Sequence, residues 1–390
     1  MNSEEKRQIA EAKKAAVEVL LHNSKGTVAN LPRTAGWGYP EPYTRDLMIS
    51  ILGIGVSGNT ELIESLRKTL LALSENQSED GQIPSLVNDK NNKGSSDTTP
   101  LFLMAVAIFR TVIGEADFLE NAVSKALKFL EYQCPTNQLL IAQQPTSDWR
   151  DEQWVLGYGL FVNILHYSAL KFLSKSGNWK VVGASLRNLT YSSDQWKYSK
   201  HEGLAIADKP YFALWSYKIY SSDRFDLLGN SLAILSGLVQ KEEARKMINW
   251  IEGSCDGMIT NNDLIPDQTP NFFPFIQPED EDWIKRYYDY NLPGDYHNGG
   301  IWPFISGFYI AALVAAEEYQ LAEKKLLALT SLIRKGKNPK LKYKFNEWHK
   351  AQTGEAMGQD WQTWSASNYL YAAACVEKRQ IPFFEEIRTL

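Results

Sequence analysis

The segment 296–334, YHNGGIWPFISGFYIAALVAAEEYQLAEKKLLALTSLIR, decides the fold. It opens on a polar, aromatic stretch and places Pro303 where a helix begins, since a first-turn residue needs no N–H. An apolar run, 303–317, follows at helical spacing. A single residue, 318, separates it from an amphipathic run, 319–334, with apolar positions three and four apart. Two helices joined so tightly form an antiparallel hairpin. Long connections flank the hairpin on both sides, 254–302 before it and 335–360 after it.

The same unit repeats along the chain without repeating in sequence. Helical periodicity predicts helices over 3–23, 44–57, 60–75, 99–114, 116–133, 151–174, 177–188, 209–220, 224–238, 240–253, 303–317, 319–334 and 361–377. Alternating patterns are scarce; 139–142 and 257–260 are short strand candidates. Long connections (24–43, 76–98, 134–150, 189–208, 254–302, 335–360) alternate with short ones (58–59, 115, 221–223, 318). Loops beyond about 12–15 residues inside a compact domain are usually functional or disordered, and the Trp, Tyr, Asp, Asn and Gln in these favour function. Six hairpins with long loops at one end and tight turns at the other make an all-α (α/α)6 toroid. No linker divides the chain, so 1–390 reads as one domain.

Composition excludes several classes of function. The chain has 390 residues, is 44% hydrophobic and 22% charged, and carries a net charge of −5. Mild acidity argues against a binder of phosphate backbones, so no nucleic-acid partner is expected. Three scattered cysteines give neither a paired disulfide framework nor a CxxC zinc spacing, which favours a reduced, cytoplasmic compartment; a removed signal peptide is compatible with the same sequence. Five histidines show no HExxH pairing, and no metal site or cofactor is expected. No run of about 18 apolar residues predicts a membrane span. A homo-oligomer is compatible with the sequence. Gly53 to Gly58 spells GxGxxG but ends a helical pattern, so it reads as helix packing and a cap. Asn188-Leu189-Thr190 is a sequon by pattern only, 279–282 reads as a solvated acidic loop, and His166 as a packed histidine.

The chemistry sits at the helix mouths. Clusters 36–46 (GWGYPEPYTRD), 95–100 (SSDTTP), 147–154 (SDWRDEQW), 296–303 (YHNGGIWP) and 359–364 (QDWQTW) each precede an apolar helix. Single Asp, Ser and Thr residues in such places are usually caps. Capping does not require Trp and Arg beside the acid five times over. Aromatic faces with carboxylates and amides suit sugars. Glycoside hydrolysis needs two carboxylates, and the candidates are Glu41, Asp46, Asp97, Asp148, Asp151, Glu347 and Glu355. Asp46 and Asp151, each after an Arg and each at an expected helix start, read as holders of hydroxyls. Asp97 lacks a local Arg and precedes an apolar helix. Glu347 lies among aromatics in FNEWH.

These residues occur in a familiar order: YTRD at 43–46, SDTTPLF at 96–102, DWRD at 148–151, LGN at 228–230, YHNGGIWP at 296–303 and QTWS at 362–365. From about Trp37 to Ala374 the set resembles the alkaline/neutral invertases, glycoside hydrolase family 100. It is more distantly similar to amylo-α-1,6-glucosidase-like and mannosylglycerate-hydrolase-like (α/α)6 enzymes. The resemblance implies an inverting glycosidase with Asp97 as general acid and Glu347 as general base, Glu355 being the fallback. It implies a small α-linked glycoside as substrate, sucrose first, with α-glucosidase, debranching-type and mannosylglycerate-type hydrolysis as alternatives. Trp37, Tyr43, Arg45, Asp46, Asp148, Arg150, Asp151, His297, Asn298, Trp302, Trp361, Gln362 and Trp364 are the expected substrate-binding residues. A sugar 2-epimerase or isomerase would rely on His297, His349 or His201. A non-catalytic sugar-binding protein is the other rival.

Overall fold

The computed structural model describes residues 1–174, 177–190 and 203–390; His201 and much of the 189–208 connection lie outside them. In chain order come α1 (Ser3–Asn23), α2 (Thr44–Ile49), α3 (Ile51–Ser57), α4 (Thr60–Glu75) and α5 (Thr98–Ile113). Next are α6 (Glu120–Tyr132), α7 (Leu160–Leu173), α8 (Asn178–Leu186), α9 (Leu227–Leu235) and α10 (Lys241–Thr260). Last are α11 (Tyr287–Tyr290), α12 (Pro303–Ala315), α13 (Tyr319–Leu332), α14 (Thr363–Lys378) and α15 (Phe384–Arg388). Short strands pair in the loops: β1 (Tyr158–Gly159), β2 (Trp215–Tyr217), β3 (Tyr220–Ser222), β4 (Phe225–Asp226), β5 (Phe272–Phe273), β6 (Trp348–His349) and β7 (Ala356–Met357).

Inner helices pack in a closed ring: α2/α3 on α5, α5 on α7, α7 on α9, α9 on α12, α12 on α14, and α14 back on α2/α3. The outer helices α1, α4, α6, α8 and α13 each cover an inner one. This is an (α/α)6 toroid. Sequence explains the two layers. Nearly every residue of α5, α9, α12 and α14 is buried, as an inner helix touched on all sides must be. The outer helices α4 and α6 bury one stripe only.

The ring closes between its first and last helices. A Cβ on Gly53 of α3 would stand 2.0 Å from the Ser367 carbonyl oxygen of α14, so only glycine allows this approach. The GxGxxG stretch is therefore packing, and Gly58 ends α3 in the left-handed conformation. At the mouth of the same seam, Asn23 Nδ2 donates to Trp361 O (2.8 Å) and Thr363 Oγ1 (2.9 Å). The Thr363 N–H donates to Thr34 O, 2.9 Å away.

Several local expectations are corrected. The 151–174 helix starts only at Leu160; residues 148–157 form a loop, and Gly157, at φ +64°, bridges Gln143. The 209–220 segment carries no helix; its Trp215, Tyr217 and Tyr220 belong to the β2–β3 hairpin, which β1 extends. Cross-strand aromatic pairing outweighs the helical spacing there. Residues 257–260 are the last turn of α10, and 139–142 form no strand. The 279–282 acids are not simply solvated, because Asp280 and Asp282 both pair with Arg224 (2.9 and 2.6 Å). Among the described residues no helix is long and apolar enough to cross a membrane.

Candidate active site

The five helix-mouth clusters and the hairpin β6–β7 meet at one end of the ring. The carboxylates there fall into two sets. Asp97 and Asp148 are locked. Asp97, at 0% exposure, accepts Arg45 Nε on Oδ2 (2.6 Å) and Arg45 Nη2 on Oδ1 (3.3 Å). The same Nη2 donates to Asp148 O at 2.9 Å, tying two mouths together. Asp148 pairs with buried Arg150 at 2.9 Å, and Arg150 also reaches Asp226, the cap of α9, at 3.2 Å. Burial works to raise the Asp148 carboxyl, but the Arg150 charge and hydrogen bonds hold it below the usual range.

The second set is open to a ligand. Asp151 has no guanidinium on its oxygens and its side chain is 63% exposed. It faces His297, whose Nε2 lies 3.9 Å from Oδ1. His297 is buried, which drives its pKa well below the ordinary value and keeps the ring neutral. Asp151 is not at a helix start, contrary to expectation, and burial of its surroundings raises its pKa against the pull of Arg45. Glu347 is only 8% exposed, and burial pushes its carboxyl up to about 7. Asp46 is also nearly buried, and burial takes it to about 8, with Glu347 and Asp151 adding to the rise. Asp46 and Glu347 therefore both feel the Asp151 charge.

Glu347 is held in a fixed pose. Its N–H donates to Gln359 O (2.9 Å), and the Gln359 N–H donates to its Oε2 (3.1 Å). A side-chain hydrogen bond from Gln362 also favours the ionised form. A Cβ on Gly358, at φ +73°, would lie 2.1 Å from Oε2. Glu355 is exposed, with Lys350 at 3.9 Å.

Aromatic residues split the same way. Trp37 (44% exposed), Tyr43 and the half-buried Trp361 present surface at the mouth. Trp37 and Trp361 meet at 4.9 Å, with His22 against both. Trp302 and Trp364 do not wall the site, because they are buried beneath it. Trp364 stacks on Phe304 at 4.1 Å and meets Trp302 edge-on, and Trp302 Nε1 donates to Tyr296 O at 3.0 Å. Trp149 packs edge-on against both Trp302 and His297. Asn298 is likewise not available to a ligand. Its Oδ1 accepts the Ile276 N–H and its Nδ2 donates to Ile276 O and Asn291 O, so the amide is spent on two loops.

Sequence reasoning passed over Tyr39 and Tyr296. The Glu347 charge, then burial, pushes Tyr39 up to about 12, and Tyr296 feels both Asp151 and Glu347. Tyr39 lies inside the 36–46 cluster and Tyr296 opens the 296–303 one, so position was the available signal. Buried His349 is lowered to about 4, and His166, likewise buried, to about 4. Neither is poised for proton transfer near neutrality.

Comparison with known proteins bears on this geometry. Residues 220–379 match the family model of alkaline and neutral invertase. Alkaline/neutral invertase C, mitochondrial, of Arabidopsis thaliana is 26% identical over 169 residues, which are 42% of this chain and 24% of that protein. Neutral/alkaline invertase 1, mitochondrial, of Oryza sativa subsp. japonica is 28% identical over 42% of this chain and 25% of its own length. The match thus spans about a quarter of these relatives. Among solved structures, the mannosylglycerate hydrolase of Thermus thermophilus in complex with glucose superposes with a TM-score of 0.61 at 14% identity, covering 92% of this chain and 98% of that one. A structure described as a wild-type glycosidase gives 0.63 at 14% identity, covering 97% and 100%. The whole ring is therefore shared with these structures, and the sequence likeness to the invertases lies in its second half.

Proposed function

We propose that this chain is a single-domain glycoside hydrolase that cleaves a small α-linked glycoside, with sucrose first among substrates, by inversion at the anomeric carbon. One observation carries the reading: among the described residues, Asp151 and Glu347 are two carboxylates at the ring mouth with no guanidinium on their oxygens, and the Asp151 charge adds to the rise that burial gives Glu347. Inverting hydrolysis asks for such a pair, one to protonate the leaving oxygen and one to activate water. The invertase match over 220–379 and the glucose-bound neighbour support a hexose at this site. Cytoplasmic residence is supported by three free cysteines.

The acid role passes from Asp97 to Asp151. Asp97 has no exposed surface and both its oxygens lie on Arg45, so although burial raises its carboxyl against the pull of that arginine, a substrate oxygen has no free face of it to meet. Asp151 is exposed, and the neutral ring of His297 beside it leaves it free to carry a proton. Glu347, fixed by Gln359, is the base. Arg45 and Arg150 hold the loops that bring Asp46 and Asp151 to the site. Asp46, Tyr39 and Tyr43 meet hydroxyls, buried Gln362 holds the Glu347 carboxylate rather than a hydroxyl, and Trp37 with Trp361 offers a face to the leaving group.

The test is a panel of sucrose, trehalose, kojibiose, isomaltose and mannosylglycerate followed by proton NMR. Release of a β-configured sugar from an α-linked substrate supports the reading. Retained configuration, an epimerised sugar without hydrolysis, or tight binding without turnover would each replace it.

A further inference from the structure

The chain is acidic overall, yet 334–344 (RKGKNPKLKYK) holds six cations and no acid. Four of the six cations line one cavity of about 470 Å³, Arg334, Lys335, Lys337 and Lys344, together with Thr353 and Glu355. Among the described residues, no carboxylate lies within 4.0 Å of the Lys335, Lys337 or Lys344 ammonium groups. The single acid on the lining, Glu355, is already near Lys350, outside the cavity. The loop that carries the cations is fastened in place. Buried Asp360 accepts the N–H of Lys337 (3.3 Å) and of Asn338 (2.7 Å), and Asn346 Nδ2 at 2.9 Å. Like charges gathered on a fixed loop repel one another, and an anion seated among them relieves that repulsion.

We infer that this cavity binds a phosphate-monoester dianion borne on a sugar. Four cations exceed what one carboxylate neutralises and suit a group carrying about −1.5 to −2 charge. Lysine serves phosphate as a point charge, and the Thr353 hydroxyl adds a donor. Ala356 of the β6–β7 hairpin lines the cavity, Glu347 directly precedes that hairpin, and the Lys337 charge reaches the Glu347 carboxylate. The phosphate half of the ligand rests on the cavity alone; the sugar half rests on the hydrolase reading.

Isothermal titration calorimetry decides it, with glucose 6-phosphate, inorganic phosphate, glucose, and sodium chloride at matched ionic strength. Saturable binding of both phosphates is expected, with neither glucose nor chloride giving it. Lys335→Gln with Lys337→Gln should weaken binding at least about tenfold, while Lys340→Gln, outside the lining, should not. Absence of saturable phosphate binding, or equal affinity in the double variant, overturns the inference. A second arm separates the sources by comparing hydrolysis of sucrose with that of sucrose phosphorylated on its glucose. A preference for the phosphorylated form that vanishes in the double variant places the phosphate on the substrate. Phosphate binding without such a preference makes the sugar phosphate a separate ligand. If no glycoside is cleaved at all, the hydrolase reading fails, and the calorimetry still decides whether the cavity binds phosphate.

Discussion

Glu347 and Gln359 clasp each other across the base of the β6–β7 hairpin. The Glu347 N–H reaches the Gln359 carbonyl, and the Gln359 N–H returns to the Glu347 carboxylate. One backbone segment thus fixes both the chain and the side-chain end of the proposed base.

Glu347→Gln keeps the shape of this clasp and removes the base. Turnover should fall about 10²- to 10⁴-fold, the range a general base supplies, with the melting temperature of the wild type or higher. Steady-state kcat beside a thermal melt checks it. Gly358→Ala should also lose activity, because its methyl would occupy the place of Oε2.

Asp151→Asn and Asp97→Asn should fail in different ways. Without a general acid, the Asp151 variant should keep its fold and lose sucrose hydrolysis, yet retain cleavage of a glycosyl fluoride, whose leaving group needs no proton. The Asp97 variant should lose stability first, since Arg45 would be left without its partner. Rates on the two substrates, read beside urea denaturation, separate the roles.

The pH dependence follows from Glu347. A base must be ionised, so kcat/KM should drop as pH falls below about 7. Stability runs the other way. The folded-state pKa lies above its ordinary value of 4.5, so this group's contribution is complete below about 4.5 and is lost as pH rises through about 7. Melting temperatures of wild type and Glu347→Gln should therefore diverge between about pH 5 and pH 8, the wild type falling relative to the variant.

Breaking the Arg45–Asp97 pair from one side should cost about 3–5 kcal/mol, because the other charge stays buried. Arg45→Met with Asp97→Leu should cost less than either single change. Chemical denaturation of the four proteins in the cycle measures the coupling. Activity should be lost in all three variants, since Arg45 also holds the Asp148 carbonyl that leads to Asp151.

Much of the ring was legible because inner and outer helices differ in kind. α12 and α13 end within two residues of the bounds that periodicity set, 303–317 and 319–334. Loop structure was not legible, because it is decided by contacts far away in sequence. Trp154, Val155 and Leu156 mimic a helix in 151–174, but Gly157 and the pairing of Tyr158 with Ser216 hold the chain extended until Leu160. The same distance effect hid the partner of Asp97. Nothing near Asp97 in sequence announces Arg45, which lies 52 residues earlier and occupies both its oxygens. The tryptophan-rich mouths suggest one sugar face, and the structure divides them. Trp37 and Trp361 are open, whereas Trp149, Trp302 and Trp364 form a packed aromatic bed under the site.

The seam between α14 and the start of the chain matters for biosynthesis. Asn23 and Thr363 bond to each other across 340 residues, and the mouth wall of Trp37 and Trp361 straddles the same junction. A nascent chain emerging from the ribosome can form its early hairpins, but the catalytic face has no second wall until the final inner helix is made. Apolar surface on α2 and α3 stays uncovered for that whole interval, which exposes it to aggregation or to a chaperone. Activity should therefore appear only once α14 has cleared the ribosome. A fragment ending before Thr363 should contain Asp151 and Glu347 both and hydrolyse nothing.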